Sequence, residues 1–292
     1  MKQLLILSGK GGTGKTTIAS AFIKLAKAKA FADCDVDAPN LHLVLDQESQ
    51  PKSRDFFGMD KAEIDQSLCT QCDICRQSCR FDAIEVVNNE YKVNCFACEG
   101  CSVCEFVCPR DAISMGPSVA GELMLYSNET VFSTAQLKMG SGNSGLLVTE
   151  VKSQMKESGI EGDLAIIDGS PGLGCPVIAS LSGVDMVLIV AEPSVSGIND
   201  MERIIKTAEG FQTKIGVCIN KYDTNIKKTK EIERFCGYKK LPFVGEIPFD
   251  KKAIWAINNG KSIVDIQCQA GDATKEIFNK AVDILFMEKP LH

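Results

Sequence analysis

Two stretches of this chain carry residues whose types and spacing point to chemistry. Between Cys69 and Cys108 lie nine of its 14 cysteines. Eight of them form two runs of one spacing, Cys69-x-x-Cys72-x-x-Cys75-x-x-x-Cys79 and Cys98-x-x-Cys101-x-x-Cys104-x-x-x-Cys108, with Pro109 closing the second. Closely spaced thiolates are soft ligands, so the clustering points to metal. Near the N-terminus, Gly9-Lys10-Gly11-Gly12-Thr13-Gly14-Lys15-Thr16 fits the pattern Gly-x-x-x-x-Gly-Lys-Ser/Thr. Such glycines let backbone amides converge on phosphate oxygens, and a helix N-terminus adds positive potential. Lys15 is then expected to reach the β- and γ-phosphates, and the Thr16 hydroxyl to ligate magnesium.

The surrounding elements are of the kind that can position these groups. The glycine loop follows the apolar "LLILS" and precedes the helical "TTIASAFIKLAKAK", which begins with Thr16 and Thr17. Further apolar runs, "AFADCD", "LAIIDG", "DMVLIVAE", "KIGVCIN" and "FVGEIP", recur with helix-like stretches between most of them. Near-continuous apolar strands alternating with helices predict an α/β fold with a doubly wound, mostly parallel sheet covered on both faces. The pattern breaks from Met59 to Pro117, where "CTQCDICRQSCRFDAIEV" and "CEGCSVCEFVCPRDAISM" form an internal repeat. We read residues 59–117 as a small inserted α+β domain and residues 1–58 with 118–292 as the discontinuous larger one. The flanking "QESQPKSRDFFG" and "GPSVAGE" read as linkers.

At 292 residues and 45% hydrophobic content, the chain is long enough for one large domain and a smaller one. A net charge of −6 and no basic run argue against nucleic acid as a partner. The N-terminal apolar run is too short for a signal sequence and no segment approaches membrane-spanning length, which predicts a cytoplasmic protein with no membrane partner. In that compartment disulfides are not expected. Cys34, Cys175, Cys218, Cys236 and Cys268 are scattered and read mainly as small buried thiols. With only His42 and His292, histidine acid–base catalysis has little support.

The second lysine in "KGGTGKT", Lys10, makes the loop resemble that of the MinD-like deviant P-loop ATPases, the group of MinD, ParA, Mrp and the nitrogenase iron protein. The resemblance implies ATP and Mg2+ as ligands and a nucleotide-sandwich homodimer in which Lys10 crosses to the other subunit's ATP. It also implies that Asp35, in "AFADCDVDAPNLHL", positions or activates the attacking water, and Asp37 could instead cap a helix. Asp168 in "DLAIIDGSPGLG" would hold magnesium through its water shell, and the turn through Gly172 would be a switch whose amide senses the γ-phosphate. Asn220, Lys221 and Asp223 in "VCINKYD" resemble a base-recognition loop, with adenine assigned from the family. Pro248, in "GEIPFD", lies where the family closes over the base, although an ordinary turn would read the same.

The cysteine repeat carries the two-cluster bacterial ferredoxin signature, in which three thiolates of each run hold one [4Fe-4S] cluster and the fourth crosses to the other. Cys69, Cys72, Cys75 and Cys108 are therefore expected at one cluster, and Cys98, Cys101, Cys104 and Cys79 at the second. Zinc is the competing reading of Cys-x-x-Cys pairs. Arg80 replaces the proline that often follows the fourth cysteine, and Cys95 is read as a nearby free thiol. The whole chain then resembles MinD-superfamily ATPases with an inserted ferredoxin domain, a family with a lysine where this chain has Leu146. Joining a one-electron module to a P-loop domain with two states set by γ-phosphate contacts leads to the expectation of an ATPase that couples nucleotide-driven dimer closure to electron transfer with a redox partner protein. An Mrp-type iron–sulfur carrier is the alternative, and Cys175 beside the switch keeps it open. A redox-sensing positioning switch is the third reading, for which Ile277, Phe278, Ala281, Val282, Leu285 and Phe286 would form an amphipathic stripe.

Overall fold

The computed structural model describes residues 1–45 and 49–287. Along the chain the elements are β1 (Lys2–Leu7), α1 (Lys15–Ala26), β2 (Ala30–Asp33), β3 (Lys52–Phe57), β4 (Lys61–Ile64), α2 (Ile74–Ser78), β5 (Ile84–Val87), β6 (Glu90–Val93), α3 (Val103–Phe106), β7 (Ile113–Gly116), β8 (Val119–Ser127), β9 (Val131–Leu137), α4 (Ser144–Glu157), β10 (Leu164–Asp168), α5 (Cys175–Leu181), β11 (Met186–Ala191), α6 (Val195–Glu209), β12 (Lys214–Asn220), α7 (Ile226–Lys239), β13 (Phe243–Ile247), α8 (Lys251–Asn258) and α9 (Gln269–Phe286).

Nine strands form one sheet in the order β13-β12-β11-β1-β10-β2-β9-β8-β3. From β13 to β9 every neighbour is parallel, whereas β8 and β3 run antiparallel at the far edge. Strand side chains alternate between faces, so a run such as Leu4–Leu7 must bury both. Leu5 and Leu7 join the core beneath α4, α5, α6 and α7, and Leu4 and Ile6 join the core beneath α1 and α9. Most of the C-terminal stripe lies in that second core: Ile277, Ala281 and Leu285 are buried and Phe278 and Val282 are partly buried, whereas Phe286 is exposed. The stripe is thus a packing face on the sheet. Among the described residues no helix is long and apolar enough to cross a membrane.

The two stretches expected to be linkers are partly strands. Lys52–Phe57 is β3 and Val119 begins β8, paired antiparallel from Lys52↔Leu125 to Phe57↔Val119. Of the six residues of β3 only Phe56 is buried, so no apolar period advertises the strand. Its hydrogen bonds to β8 create it, and its exposed Lys, Arg and Asp suit a sheet edge. Strand β9 was also unread, although Phe132 is fully buried between Phe31 and Tyr126, with ring centroids 5.1 and 5.3 Å away.

Residues 59–117 leave the sheet between β3 and β8, where the Gly58 amide donates to the Ser118 carbonyl at 3.1 Å and closes the neck. Beyond it, β4 pairs with β7 and β5 with β6, both antiparallel, around Ala62, Ala83, Ile84, Tyr91 and Ile113. The internal repeat is visible in the backbone. Gln71, Asp73 and Asp82 have φ of 57°, 66° and 49°, and Gly100, Ser102 and Asp111, at the matching places of the second half, have 69°, 59° and 50°. Left-handed conformations at non-glycine residues cost free energy and persist where the surroundings impose them.

Phe132→Ala should destabilise the protein by about 3–5 kcal/mol, read as a lower urea midpoint with an unchanged slope. A loss under about 1 kcal/mol would show that the stacked aromatics of β9 do not hold the edge strands to the parallel sheet.

Candidate functional site

The parallel strands carry their loops to one edge of the sheet, where doubly wound folds bind ligands. Ser8–Gly14 joins β1 to α1, with Gly12 at φ 77° and Gly14 at φ 91°. A Cβ at Gly14 would also fall 2.3 Å from Asn220 Nδ2, so glycine is required there. Lys10, Gly11, Gly12, Thr13, Gly14, Lys15, Thr16, Thr17 and Asp35 line a cleft of about 1020 Å3. Gly9 is not in its wall, because it packs against Asp200, where a Cβ would lie 2.1 Å from Asp200 Cβ.

Under the loop sits a buried charge cluster. Lys15 Nζ donates to Asp168 Oδ1 at 2.5 Å, and Thr16 Oγ1 donates to Asp168 Oδ2 at 2.6 Å. Burial opposes the charge of Lys15, but Asp168, Asp33 and Asp35 outweigh it and raise its pKa above the ordinary lysine value. Asp33, also fully buried, accepts from the Asp35 amide at 3.0 Å through Oδ1 and from the Asn40 and Leu41 amides at 3.0 Å through Oδ2. Burial, then the like charge of Asp168, pushes its carboxyl up to about 7. Burial likewise raises Asp35 to about 6, against the attraction of Lys15. The sequence marks Asp33 only as a strand end, whereas the fold makes it the anchor of the loop that presents Asp35. Asp37 is exposed in that loop and caps no helix.

Neighbouring loops are tied to this cluster. Ser170 Oγ donates to the Cys34 carbonyl at 2.5 Å, joining the turns after β2 and β10. The Gly172 amide donates to the Ser8 carbonyl at 3.1 Å. Lys10 is paired within its own chain, with Glu192 Oε2 2.6 Å away and Ser194 Oγ at 3.5 Å. Glu192 also lies 3.7 Å from Lys221. Sequence reading missed Glu192, although its place directly after β11 puts it at the ligand-facing ends of the strands.

The residues expected at the base do two jobs. Asn220 Nδ2 donates to the Thr13 carbonyl at 2.6 Å and Lys221 Nζ to the Gly12 carbonyl at 2.9 Å, so both brace the glycine loop. They also line, with Thr17, Pro248 and Phe249, an adjoining cavity of about 230 Å3. Asp223 stands outside that wall and accepts from the Phe249 amide at 2.7 Å.

Around two much smaller cavities, each of about 20 Å3, the structure gathers cysteines four at a time. Cys69, Cys72, Cys75 and Cys108 line one together with Tyr91 and Arg110, and Cys79, Cys98, Cys101 and Cys104 line the other with Phe81 and Glu99. Among the described residues no group of three or more His, Cys, Asp or Glu could hold a metal ion. Cys95 is exposed and outside both walls. Cys34, Cys218, Cys236 and Cys268 are buried, but Cys175 is exposed, against expectation, because it opens α5 from the solvent side of the loop after β10. Leu146 is 46% exposed in the first turn of α4 and lines neither the cleft nor the base cavity.

A carboxyl whose pKa rises on folding stabilises the fold fully below its unfolded value and loses that contribution as pH climbs through its folded value. For Asp33 the window runs from 3.8 to about 7. Urea midpoints of wild type and Asp33→Asn should therefore diverge across it, the wild type declining more towards neutral pH. Parallel curves would place the burden on another group.

The family described as CbiA, the CobQ/CobB/MinD/ParA nucleotide binding domain, matches residues 4–263. An uncharacterized protein of Methanocaldococcus jannaschii is 32% identical over 291 residues, covering 97% of each chain. The septum site-determining protein MinD of Thermotoga maritima is 25% identical over 267 residues, covering 88% of this chain and 79% of that one. Among solved structures, MinD of Pyrococcus horikoshii complexed with Mg-ADP superposes with a TM-score of 0.59 at 16% identity, covering 99% of both chains. With the glycine loop, Lys15 and Asp168 gathered at the ends of parallel strands, these likenesses place the chain in the CobQ/CobB/MinD/ParA nucleotide-binding family, as a P-loop ATPase of the MinD/ParA type.

Proposed function

We propose that this ATPase carries two [4Fe-4S] clusters in the domain formed by residues 59–117 and couples nucleotide-dependent closure of a homodimer to electron transfer with a redox partner protein. The observation that carries the reading is the placement of eight repeat cysteines, four about each of two separate cavities. The donor chemistry fits: thiolates favour iron–sulfur clusters, and a cubane needs four of them spread around a body larger than one ion. The Ala112 amide, which donates to Cys108 Sγ at 3.3 Å, adds the kind of hydrogen bond that stabilises a ligating thiolate.

When bound, the clusters supply one-electron chemistry, and the chain's own residues supply the rest. On this reading Lys15 would hold the β- and γ-phosphates, and Thr16 and Asp168, hydrogen-bonded to each other here, would hold Mg2+, whose charge would offset that of the phosphates. Asp35, held over the cleft by the grip of Asp33 on its amide, orients the attacking water. Lys10 leaves Glu192 for the nucleotide of the second copy, and the Gly172 amide leaves the Ser8 carbonyl for the γ-phosphate. Asn220, Lys221 and Pro248 stand at the base and Asp223 supports the turn above it. Each exchange would replace an interaction made within the chain by one made to nucleotide or Mg2+, which would give the domain two arrangements.

Lys15→Ala, purified without oxygen, should lower ATP turnover at least about a hundredfold with iron content unchanged. Cys101→Ser should lose about half of the iron and sulfide while the rest keeps its spectrum. Full iron in the Cys101→Ser protein would sink the ligand assignment, and full turnover in Lys15→Ala would sink the phosphate site.

A further inference from the structure

The insert's covalent tie to the nucleotide domain is the β3–β8 neck, at the outer edge of the sheet, with β8 four and β3 five strands from β1. A second contact lies closer to the nucleotide. The segment from Gln136 to Gly145, which runs from the end of β9 to the start of α4, touches both nucleotide-facing turns and the insert. On the side of Asp35, the Leu137 amide donates to the Val36 carbonyl at 2.8 Å, and Gln136 Nε2 donates to the Asp37 carbonyl at 3.4 Å. On the side of Asp168, Gly145 packs on Cys175, where a Cβ would fall 3.1 Å from Cys175 Cβ. Cys175 opens α5, three residues after Gly172.

Between these ends the segment meets the insert. Gly140, at φ 77°, lies under the Phe96 ring, where a Cβ would sit 3.1 Å from Phe96 Cδ1, and a Cβ at Gly142 would sit 3.9 Å from Glu99 Oε2. Phe96 belongs to the turn that carries Cys98. Asn94 Oδ1 accepts the Phe96 amide at 3.1 Å, and the Asn94 carbonyl accepts the Ala97 and Cys98 amides at 3.1 and 3.0 Å. Glu99 itself lines the cavity of Cys79, Cys98, Cys101 and Cys104. The cavity of Cys69, Cys72, Cys75 and Cys108 has no wall residue in this turn.

We propose that residues 136–145 relay nucleotide state to the cluster at Cys79, Cys98, Cys101 and Cys104 alone, through Phe96 seated on Gly140. The proposal rests on the iron–sulfur reading above. A shift of the turns after β2 and β10 would move both ends of the segment, and the Phe96 ring, 72% exposed but seated on Gly140, would pass that motion to the turn holding Cys98. Coupling between two sites is reciprocal, so reduction of that cluster must change nucleotide affinity by the same factor by which nucleotide changes its reduction equilibrium.

The test is an anaerobic redox titration of the full chain with both clusters, followed by electron paramagnetic resonance, with and without a non-hydrolysable ATP analogue and Mg2+. In wild type, the analogue should move one cluster about tenfold in its one-electron equilibrium, or about 59 mV, and leave the other in place. In Phe96→Ala the shift should fall to less than about threefold, with iron content and analogue binding retained. Equal shifts in wild type and variant, or equal shifts of both clusters, overturn the relay and leave the iron–sulfur reading standing. A protein without iron overturns the reading beneath it. Should Phe96→Ala lose its clusters, hydrogen exchange of the wild type decides: the analogue must alter protection in both 136–145 and 94–98, and a change confined to the first segment overturns the relay.

Discussion

Two carboxyl groups and one ammonium, all buried, set the terms for the rest of the molecule. Asp33 and Asp168 end adjacent parallel strands in register with one another, and both are fully buried. Like charges so placed repel, and removing each from water costs several kcal/mol per ion. Lys15 offsets part of that, and the amides of Asp35, Asn40 and Leu41 offset more. A single lysine cannot neutralise three carboxyl groups, and the remaining burden of burial and like charge appears as the raised pKa values of Asp33 and Asp35. The arrangement needs parallel strands, since only these bring several C-terminal ends to one edge. It needs glycine at positions 12 and 14 for the same reason, because the loop must turn tightly over the cluster to place Lys15 on Asp168.

The contacts around this cluster are mostly exchangeable. Thr16 to Asp168, Lys10 to Glu192 and Gly172 to Ser8 each join groups that phosphate, magnesium or a second copy could claim. Their surroundings are not exchangeable. The hydroxyl of Ser170 on the Cys34 carbonyl and the two cores on either face of the sheet hold the loops from below. Such a division, exchangeable contacts on a close-packed support, would let small ligand-driven shifts become discrete rearrangements, because close-packed interiors move as units.

Placement of the cysteine-rich segment follows from the sheet edge. A segment inserted between two central parallel strands would have to cross the ligand face or a helical layer. Between antiparallel β3 and β8 it leaves and returns at one point, closed by Gly58 and Ser118. The exposed polar residues of β3 give that edge little else to bury. The insert has its own small core in Ala62, Ala83, Ile84, Tyr91 and Ile113, and its repeated left-handed residues shape both cysteine loops alike.

The central strands, the glycine loop with its Lys15 and Thr16, and the two cysteine runs could all be read from the chain, because each depends on residues close in sequence: an unbroken apolar run, a fixed spacing, a strand passing into a helix. Strands β3 and β8 could not, since β3 has one buried side chain and exists through its hydrogen bonds to a partner more than sixty residues away. The same holds for Asp33 as anchor of the Asp35 loop, for the pairing of Lys10 with Glu192, and for Asn220 and Lys221 as braces of the glycine loop. The spacing of the cysteines separates them into two runs and implies that each fourth cysteine crosses to the other set, whereas tertiary structure leaves Cys175 in solvent. Sequence by itself determined the residue types and the local periods that build the elements. The register of distant strands, and therefore which charged and polar groups meet at their ends, was decided by long-range packing.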